Sequence, residues 1–549
     1  MVGDAEALRG LLKGIDGASY GAYKRLAGTW EMGGFSLGVD RVQGDPFAAP
    51  SAVRVRRPIA LSGLEDPDTL CASEDWLLRR ANLALEAVQS RRGSGRSGEL
   101  SLYAPGPEIL ERSALRLVDG HLELRLRIGL PARGRRILGQ QAWGLVDQDL
   151  RALCAALEPG PGLLVHVESV RRQRALRRAL EPAGLVAFVA DGSVLPRESG
   201  VGSGPLLDAV PWQGPDTLSC VLETPLGHVR GTGIPKGITV IVGGGFHGKS
   251  TVLQALARGH LDHVPGDGRE GVVALPQTVK IRAEDGRCVH GVDISSLLRG
   301  LPGGRSTRPF STQDASGSTS QAASLVESVQ AGARVLLMDE DTCATNLMVR
   351  DARMRALVPE SREPITPLVE RVVQMRDAWE LSMVFVIGGI GDYLGVADTV
   401  LSMEDYRPVD RSLQAQALGI VVSESPEGLV EPLARVLAGG LAPGRIKVRD
   451  ERRVQLGDTV LELGGLEQIR DGAHAFSIAR ALVLCEQLLV ERGPMDSLAL
   501  VGELMAILSA RGLEVLSPQD YPAGDLVQLR PHEVMAAIDR LRTLKLSEL

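Results

Sequence analysis

Residues 243–251 read GGGFHGKST, and their types point to one chemistry, the holding of phosphate. Gly243-x4-Gly248-Lys249-Ser250 fits the P-loop pattern, with the β-branched run ITVIV before it and the amphipathic stretch KSTVLQALARG after it. Gly243, Gly244, Gly245 and Gly248 let main-chain N–H groups converge on phosphate oxygens with no Cβ in the way, alongside Phe246 and His247. Lys249 is suited to reach the β- and γ-phosphates, Ser250 to ligate Mg²⁺, and Thr251 to complete the nucleotide cradle.

A second acidic feature follows in RVLLMDED, residues 334–341. An apolar run ending in Asp339 places a carboxylate at the carboxyl end of a strand, where it can hold Mg²⁺. Glu340 comes next and can deprotonate an attacking water as a general base. The competing reading is a buried strand that ends in a solvated acidic turn.

These residues need a scaffold, and 549 residues suffice for two to four domains. Hydrophobic content of 44% and charged content of 23% are ordinary for a globular chain with a buried core. Residues 1–200 read as α+β: helical patterns in DAEALRGLLKGI and EDWLLRRANLALEAV, a DG hairpin in SALRLVDGHLELRLRIGLP, then a strand at GPGLLVHVES and a basic helix. A linker is expected at 197–205. Residues 201–412 alternate strands with helices, the signature of an α/β domain with a mostly parallel sheet. Residues 413–549 read as a small, mainly helical domain. There is no uninterrupted run of about 18 apolar residues and no signal-peptide core, so the expectation is a cytoplasmic chain with no membrane span. The six cysteines are scattered without metal-ligand spacing.

The combined pattern resembles the ABC class of P-loop ATPases. DEDTCATN, residues 339–346, is similar to the class's Walker-B glutamate running into its D-loop, which makes Thr345 and Asn346 the D-loop residues. Upstream of Asp339, beyond a helical stretch, lies DASGSTSQ, where Ser316 and Gly317 match the first Ser-Gly of the signature motif that senses nucleotide, with Ser318 a further nucleotide-binding candidate. Ser318 and Thr319 replace the signature's second glycine and glutamine. More narrowly, the chain resembles the family of predicted ATPases of the ABC class, related to a kinetoplastid mitochondrial RNA-binding ABC ATPase. The motifs that carry this are GIPKGITVIVGGGFHGKST, VKIRAEDGR, DASGSTSQAAS, DEDTCATN, GGIGDYLGVAD, GVDRVQGDPFAAPS and GLPARGRRILG. The resemblance implies a homodimer that binds and slowly hydrolyses Mg-ATP, with single- or double-stranded RNA, or DNA, as the partner. One P-loop per chain and a signature that acts on the other subunit's nucleotide imply a head-to-tail arrangement.

Two positions depart from the class. Gly388-Gly389 stands where the strand SMVFVIGG should meet a switch histidine, with Asp392 a nearby polar candidate or a helix cap. Gln277 in VALPQ resembles the Q-loop glutamine, a nucleotide and Mg²⁺ contact, but follows Lys249 too soon; the alternative is an ordinary strand-end glutamine. Lys280, Arg282 and Glu284 alternate with apolar residues, as on the wet face of a strand. Trp212 lies far upstream of the P-loop for an adenine-stacking aromatic, so the base preference stays open.

Residues 1–200 hold 27 Lys and Arg against 24 Asp and Glu, while the rest of the chain is net acidic. The densest basic clusters are Arg133, Arg135 and Arg136, then Arg171, Arg172 and Arg174 with Arg177 and Arg178; Arg91, Arg92 and Arg96 lie in a Gly/Ser loop. They suit phosphate-backbone contact. A nucleotide-gated dimeric scaffold with little hydrolysis and a protein partner is the alternative to an ATPase that grips nucleic acid.

Overall fold

The computed structural model describes residues 2–88, 91–199, 202–351, 357, 362–422, 428–469 and 471–547. The chain forms two compact units, Met1–Arg171 with Arg511–Gln528, and Arg172–Ala510 with Leu529–Leu549.

The first unit is built on a seven-stranded sheet. Its path runs Val2–Asp4, Gly28–Glu31, Ser36–Arg41, Ser51–Pro58, His121–Ile128, Leu100–Ser101, and Leu115–Val118 also pairs with His121–Ile128. Val2–Asp4 pairs parallel, and the other pairings are antiparallel. The DG hairpin forms where the sequence predicts it, with Asp119 at φ 50° and Gly120 at φ 70°, the double positive φ of a two-residue turn. The predicted helices form at Ala5–Gly14, N-capped by Asp4, and at Pro67–Val88. Residues 511–528 join this unit through Ser113, whose main-chain N donates to Leu526 O at 3.0 Å, and through the Arg125–Glu514 ion pair at 2.9 Å.

GPGLLVHVES is not a strand. It forms the first half of one helix, Pro161–Leu180, whose buried Leu163, Val167, Val170 and Leu176 fall at helical spacing. The next strand, Leu185–Ala190, precedes the boundary expected at 200 but hydrogen-bonds into a sheet of the second unit. The expected linker at 197–205 is tied down at its ends: Arg197 bridges to Pro205 and pairs with Asp267 at 2.9 Å. Residues 200 and 201 lie outside the described residues.

Glu74, on the helix Pro67–Val88, is buried and accepts the main-chain N–H of Leu117 at 2.8 Å. Burial pushes its carboxyl up to about 7, against the opposing pull of Arg116. The folded chain therefore keeps a proton that the unfolded chain releases near 4.5, and stability is lost as pH rises from that value through about 7. Glu74→Gln should remove about 3 kcal/mol of this pH dependence. Urea unfolding of both proteins at about pH 5 and about pH 8 checks it.

In the second unit, a six-stranded sheet runs Thr278–Lys280, Val335–Asp339, Ser382–Val386, Ile238–Gly243, Thr399–Glu404, Arg407–Asp410. The first five strands are parallel and the last is antiparallel. Its strands are buried on both faces, as parallel sheets require. Ile241, Leu337, Val384 and Leu401 meet the helix Lys249–Arg258, and Phe188 and Val273 of a second, antiparallel sheet share that cluster. That sheet comprises Ser219–Thr224, Gly227–Pro235, Leu185–Ala190 and Val272–Ala274. On the opposite face, Val240, Met338 and Phe385 pack with Ala322, Leu325 and Val326 of the helix Gly317–Gln330.

Beyond residue 413, helices Gly472–Arg492, Ser497–Arg511 and Pro531–Ile538 carry most of the regular structure. The sequence pattern missed a three-stranded meander, Ile446–Asp450, Arg453–Leu456 and Thr459–Glu462. Gly472–Arg492 is long and apolar enough to cross a membrane by length and composition, and its Ala475, Ile478, Leu482 and Cys485 are fully buried in the protein. The C-terminal segment also covers the edge strand Thr278–Lys280, so its expected wet face is closed. The Lys280 side chain is 4% exposed and pairs with Glu467 at 2.6 Å, and Glu284 accepts from Arg540 Nε at 3.1 Å. Arg435–Asp539 and Arg287–Glu327, both at 2.5 Å, extend this buried ionic layer.

Candidate active site

The strand Ile238–Gly243 enters the loop at its carboxyl end. Gly243 turns at φ 136°, where a Cβ would stand 2.5 Å from Met403 O, and Gly248 turns at φ 92° to start the helix Lys249–Arg258. No side chain caps that helix, so its first N–H groups face the loop. Lys249 Nζ donates to Gly243 O and Gly244 O, both at 2.8 Å. An ammonium has three protons, which leaves one for a phosphate oxygen. Phe246 holds φ 63°, a left-handed conformation that bulky side chains rarely adopt, and stands almost wholly exposed.

Parallel pairing sets Asp339 level with Val386, and Val386 level with Ile241. With strands about 4.8 Å apart, the Asp339 backbone lies two strands, about 10 Å, from the root of the loop. Asp339 is 4% exposed and accepts from the main-chain N of Asp341 at 3.3 Å. The half-buried Glu340 accepts on Oε2 from the main-chain N–H of Gly388 at 2.6 Å and of Gly389 at 3.0 Å. Asp392 lies exposed in the 3₁₀ turn Gly391–Gly395.

Beside the loop is a cavity of about 790 Å³. Gly245 through Val252, Asp341 and Met403 form one side, while Leu195, Trp212 and Tyr406 add apolar and aromatic wall. Sequence spacing could not assign Trp212, and it missed Tyr406. The fold brings both to the P-loop, with His247 and Tyr406 stacked at 6.4 Å between ring centroids. His247 Nδ1 accepts from the main-chain N of Asp405 at 3.0 Å, which leaves the proton on Nε2. The residues present fit a magnesium nucleotide: a glycine cradle, a free ammonium proton, a hydroxyl at Ser250 and a carboxylate at Asp339. Mg²⁺ needs no dense protein cage, because it keeps waters and phosphate oxygens as ligands.

Gln277 does not belong to this site. It sits in the turn that opens Thr278–Lys280, and Thr278 is paired with Val335 at the opposite end of the sheet from Asp339. Its carbonyl accepts from Arg334 N, so five residues of strand put it about 16 Å from the level of Asp339. The carboxyl end of that strand continues into Ile281–Glu284, where Ala283 N donates to Thr342 O at 3.0 Å.

Ser316 precedes the helix Gly317–Gln330, and its hydroxyl lies 3.0 Å from that of Thr319. Gln321, fully buried, accepts from the main-chain N of Ala344 at 2.7 Å, so the helix Gly317–Gln330 holds the turn that leads into Thr345 and Asn346. Thr345 and Asn346 are exposed at the start of the short helix Thr345–Met348. Ser316, Gly317 and Ser318 are not among the residues lining the P-loop cavity.

In the first unit, three loops noted separately in the sequence converge. Ser94 N donates to Ala132 O at 2.7 Å, Gly134 N to Ser94 Oγ at 2.9 Å, and Arg96 N to Pro46 O at 2.9 Å. A Cβ at Gly93 would lie 2.1 Å from Ala132 O, so only glycine permits this approach. Arg133, Arg135 and Arg136 are exposed here with Arg91 and Arg96; Arg135 pairs with Asp45 at 2.8 Å and Arg96 lies 3.6 Å from Glu99. Phe47 is 66% exposed on the adjoining loop. Arg171 and Arg172 are exposed on their helix, whereas Arg174 and Arg177 are turned inward onto Asp262 at 2.7 and 2.9 Å. Arg174 is therefore a structural ion-pair partner, held by a buried acid that its own helix gives no hint of.

Sheet order and loop geometry place the chain in the ABC class of P-loop ATPases. A family model for the ABC ATPase P-loop domain matches residues 161–430, one for the N-terminal part of ATPases of the ABC class matches 5–157, and one for the MRB1590 C-terminal domain matches 445–547. The chain belongs to this family of ABC-class ATPases. The uncharacterised protein MJ1628 of Methanocaldococcus jannaschii is 29% identical over 257 residues, 45% of this chain and 56% of that protein. Solved structures similar in part include cbiO1 of Clostridium perfringens, 12% identical, TM-score 0.26, over 43% of this chain and 91% of that one. A bacterial Atm1-family ABC exporter with ATP bound is 12% identical, TM-score 0.25, over 51% of this chain and 49% of that one.

Proposed function

We propose that this protein binds and hydrolyses Mg-ATP at a head-to-tail homodimer interface, and couples closure to binding or release of a nucleic acid, RNA foremost. One observation carries the reading: the chain presents a phosphate cradle and a signature loop, yet the cavity at the cradle is lined without Ser316–Ser318. A second copy turned head to tail would supply them.

Lys249 and the N–H groups of the glycine loop bind and orient the phosphates. Ser250 and Asp339 would hold Mg²⁺, which would neutralise charge on the phosphate oxygens. Glu340 takes the proton of the attacking water. Ser316 and Gly317 of the opposite copy close the site, and Thr345 and Asn346 line its D-loop side.

The three-loop surface of the first unit fits a single strand, because exposed arginines meet phosphates and Phe47 offers a face for a base. Arg133/Arg135/Arg136→Ala should lower the dependence of log affinity on log salt by about 2 for single-stranded RNA, at about 0.7 per phosphate contact. Phe47→Ala should weaken single-strand binding by about 1–3 kcal/mol and leave duplex binding unchanged. Salt titrations of the full chain on single- and double-stranded RNA and DNA test both; an unchanged slope rejects the surface. Turnover of ATP by the same preparations tests the enzyme reading. The alternative scaffold reading draws on the missing imidazole at Gly389 and predicts no turnover under any of these conditions.

A further inference from the structure

The strand Ser382–Val386 ends level with Asp339, so the residues just beyond each strand meet. There Glu340 Oε2 accepts two successive main-chain N–H groups, Gly388 at 2.6 Å and Gly389 at 3.0 Å. Both donors fall on one oxygen, and Oε1 is left as the oxygen that can take a proton. Neither glycine has a φ in the left-handed region, so the backbone conformation does not demand glycine at either position. Space favours it at one of them. A Cβ at Gly389 would stand 3.3 Å from Glu340 Oε1, close enough that the carboxylate would have to shift by a few tenths of an ångström, while one at Gly388 would stand an ordinary 3.9 Å from Oε2.

We infer that the main-chain N–H groups of Gly388 and Gly389 are the positioning groups for Glu340, in place of a histidine side chain from that strand end. This rests on the proposed role of Glu340 as general base. The fixed amides hold the carboxylate without side-chain freedom, and the bare Cα of Gly389 keeps Oε1 open. A side chain at 389 and a general base at 340 then compete for one space. The absence of the histidine is thus linked to how Glu340 is held, and not to a loss of hydrolysis.

The test is steady-state turnover together with equilibrium ATP binding by the full-length protein. Gly389→Ala should lower kcat by about tenfold to a hundredfold, the scale of a small displacement of a catalytic group, with ATP affinity unchanged. Gly388→Ala, which keeps its N–H and has room for a methyl, should cost severalfold less than Gly389→Ala. In a Glu340→Asp background, where the carboxylate is drawn back by one methylene, Gly389→Ala should cost less than it does beside glutamate. Equal losses at Gly388 and Gly389, a loss in affinity instead of kcat, or an equal cost in both backgrounds overturns the inference. Glu340→Gln turning over like the wild type would reject the general-base reading itself, a separate failure.

Discussion

Glu340→Gln is expected to keep ATP bound and to cut turnover by about 10²–10⁴-fold, the usual worth of a positioned general base. Glutamine has nearly the same shape, and its amide oxygen can still accept the N–H groups of Gly388 and Gly389 that hold the side chain now. What it cannot do is take a proton from water. The phosphate cradle lies on other elements: Gly243 to Ser250 at the end of Ile238–Gly243, and Asp339 one residue before Glu340. Nucleotide affinity should therefore hold while kcat falls. Binding of a fluorescent ATP analogue and phosphate release, measured on one preparation, separate the two quantities. Equal turnover in the two proteins would remove Glu340 from the chemistry and leave the scaffold reading in its place.

The second large effect tests whether each site is built from two chains. Lys249→Ala removes an ammonium that spans Gly243 O and Gly244 O, and with it the charge aimed at the phosphates. Gly317→Arg places a bulky cation where even a Cβ would lie 3.2 Å from Asp285 Oδ1 and 3.7 Å from the Ala344 Cβ. Each variant alone should be inactive. In an equal mixture, half of the proposed dimers would pair one variant with the other. Each such dimer holds one site with an intact P-loop from one chain and an intact signature from the other. If the sites act independently, about a quarter of wild-type turnover should return. Should both motifs act within one chain, mixing restores nothing. Refolding or coexpression with different tags, followed by assay of the mixed dimer, gives the result.

Motif legibility was uneven, and particular residues show why. The P-loop is read from local sequence because its needs are local: glycines at positive φ, a lysine next to a helix start, a β-branched strand before it. Gln277 stays open between two readings in the sequence because a strand's residues do not reveal which of its ends lies near the P-loop; the register of Thr278 with Val335 does. Lys280 and Glu284 alternate as solvent-facing residues should, yet Glu467 and Arg540, more than 180 positions away, cover them. Arg174 reads as part of a basic face until Asp262 is placed beside it.

The sequence by itself determined the class of protein, through its resemblance to a known family, and the glycine loop with the central α/β order, because turn residues, strand runs and helix starts act over a few positions. Tertiary structure decided what long-range packing decides. It gathered two arginine-bearing loops and the loop of Phe47 on one surface, and it walled the P-loop cavity with Trp212 and Tyr406. It also set Glu340 on the amides of Gly388 and Gly389, a contact between groups 48 and 49 residues apart. Main-chain N–H groups are present at every residue except proline, so no residue type announces that partnership. Only the parallel register of two neighbouring strands brings the carboxylate to them.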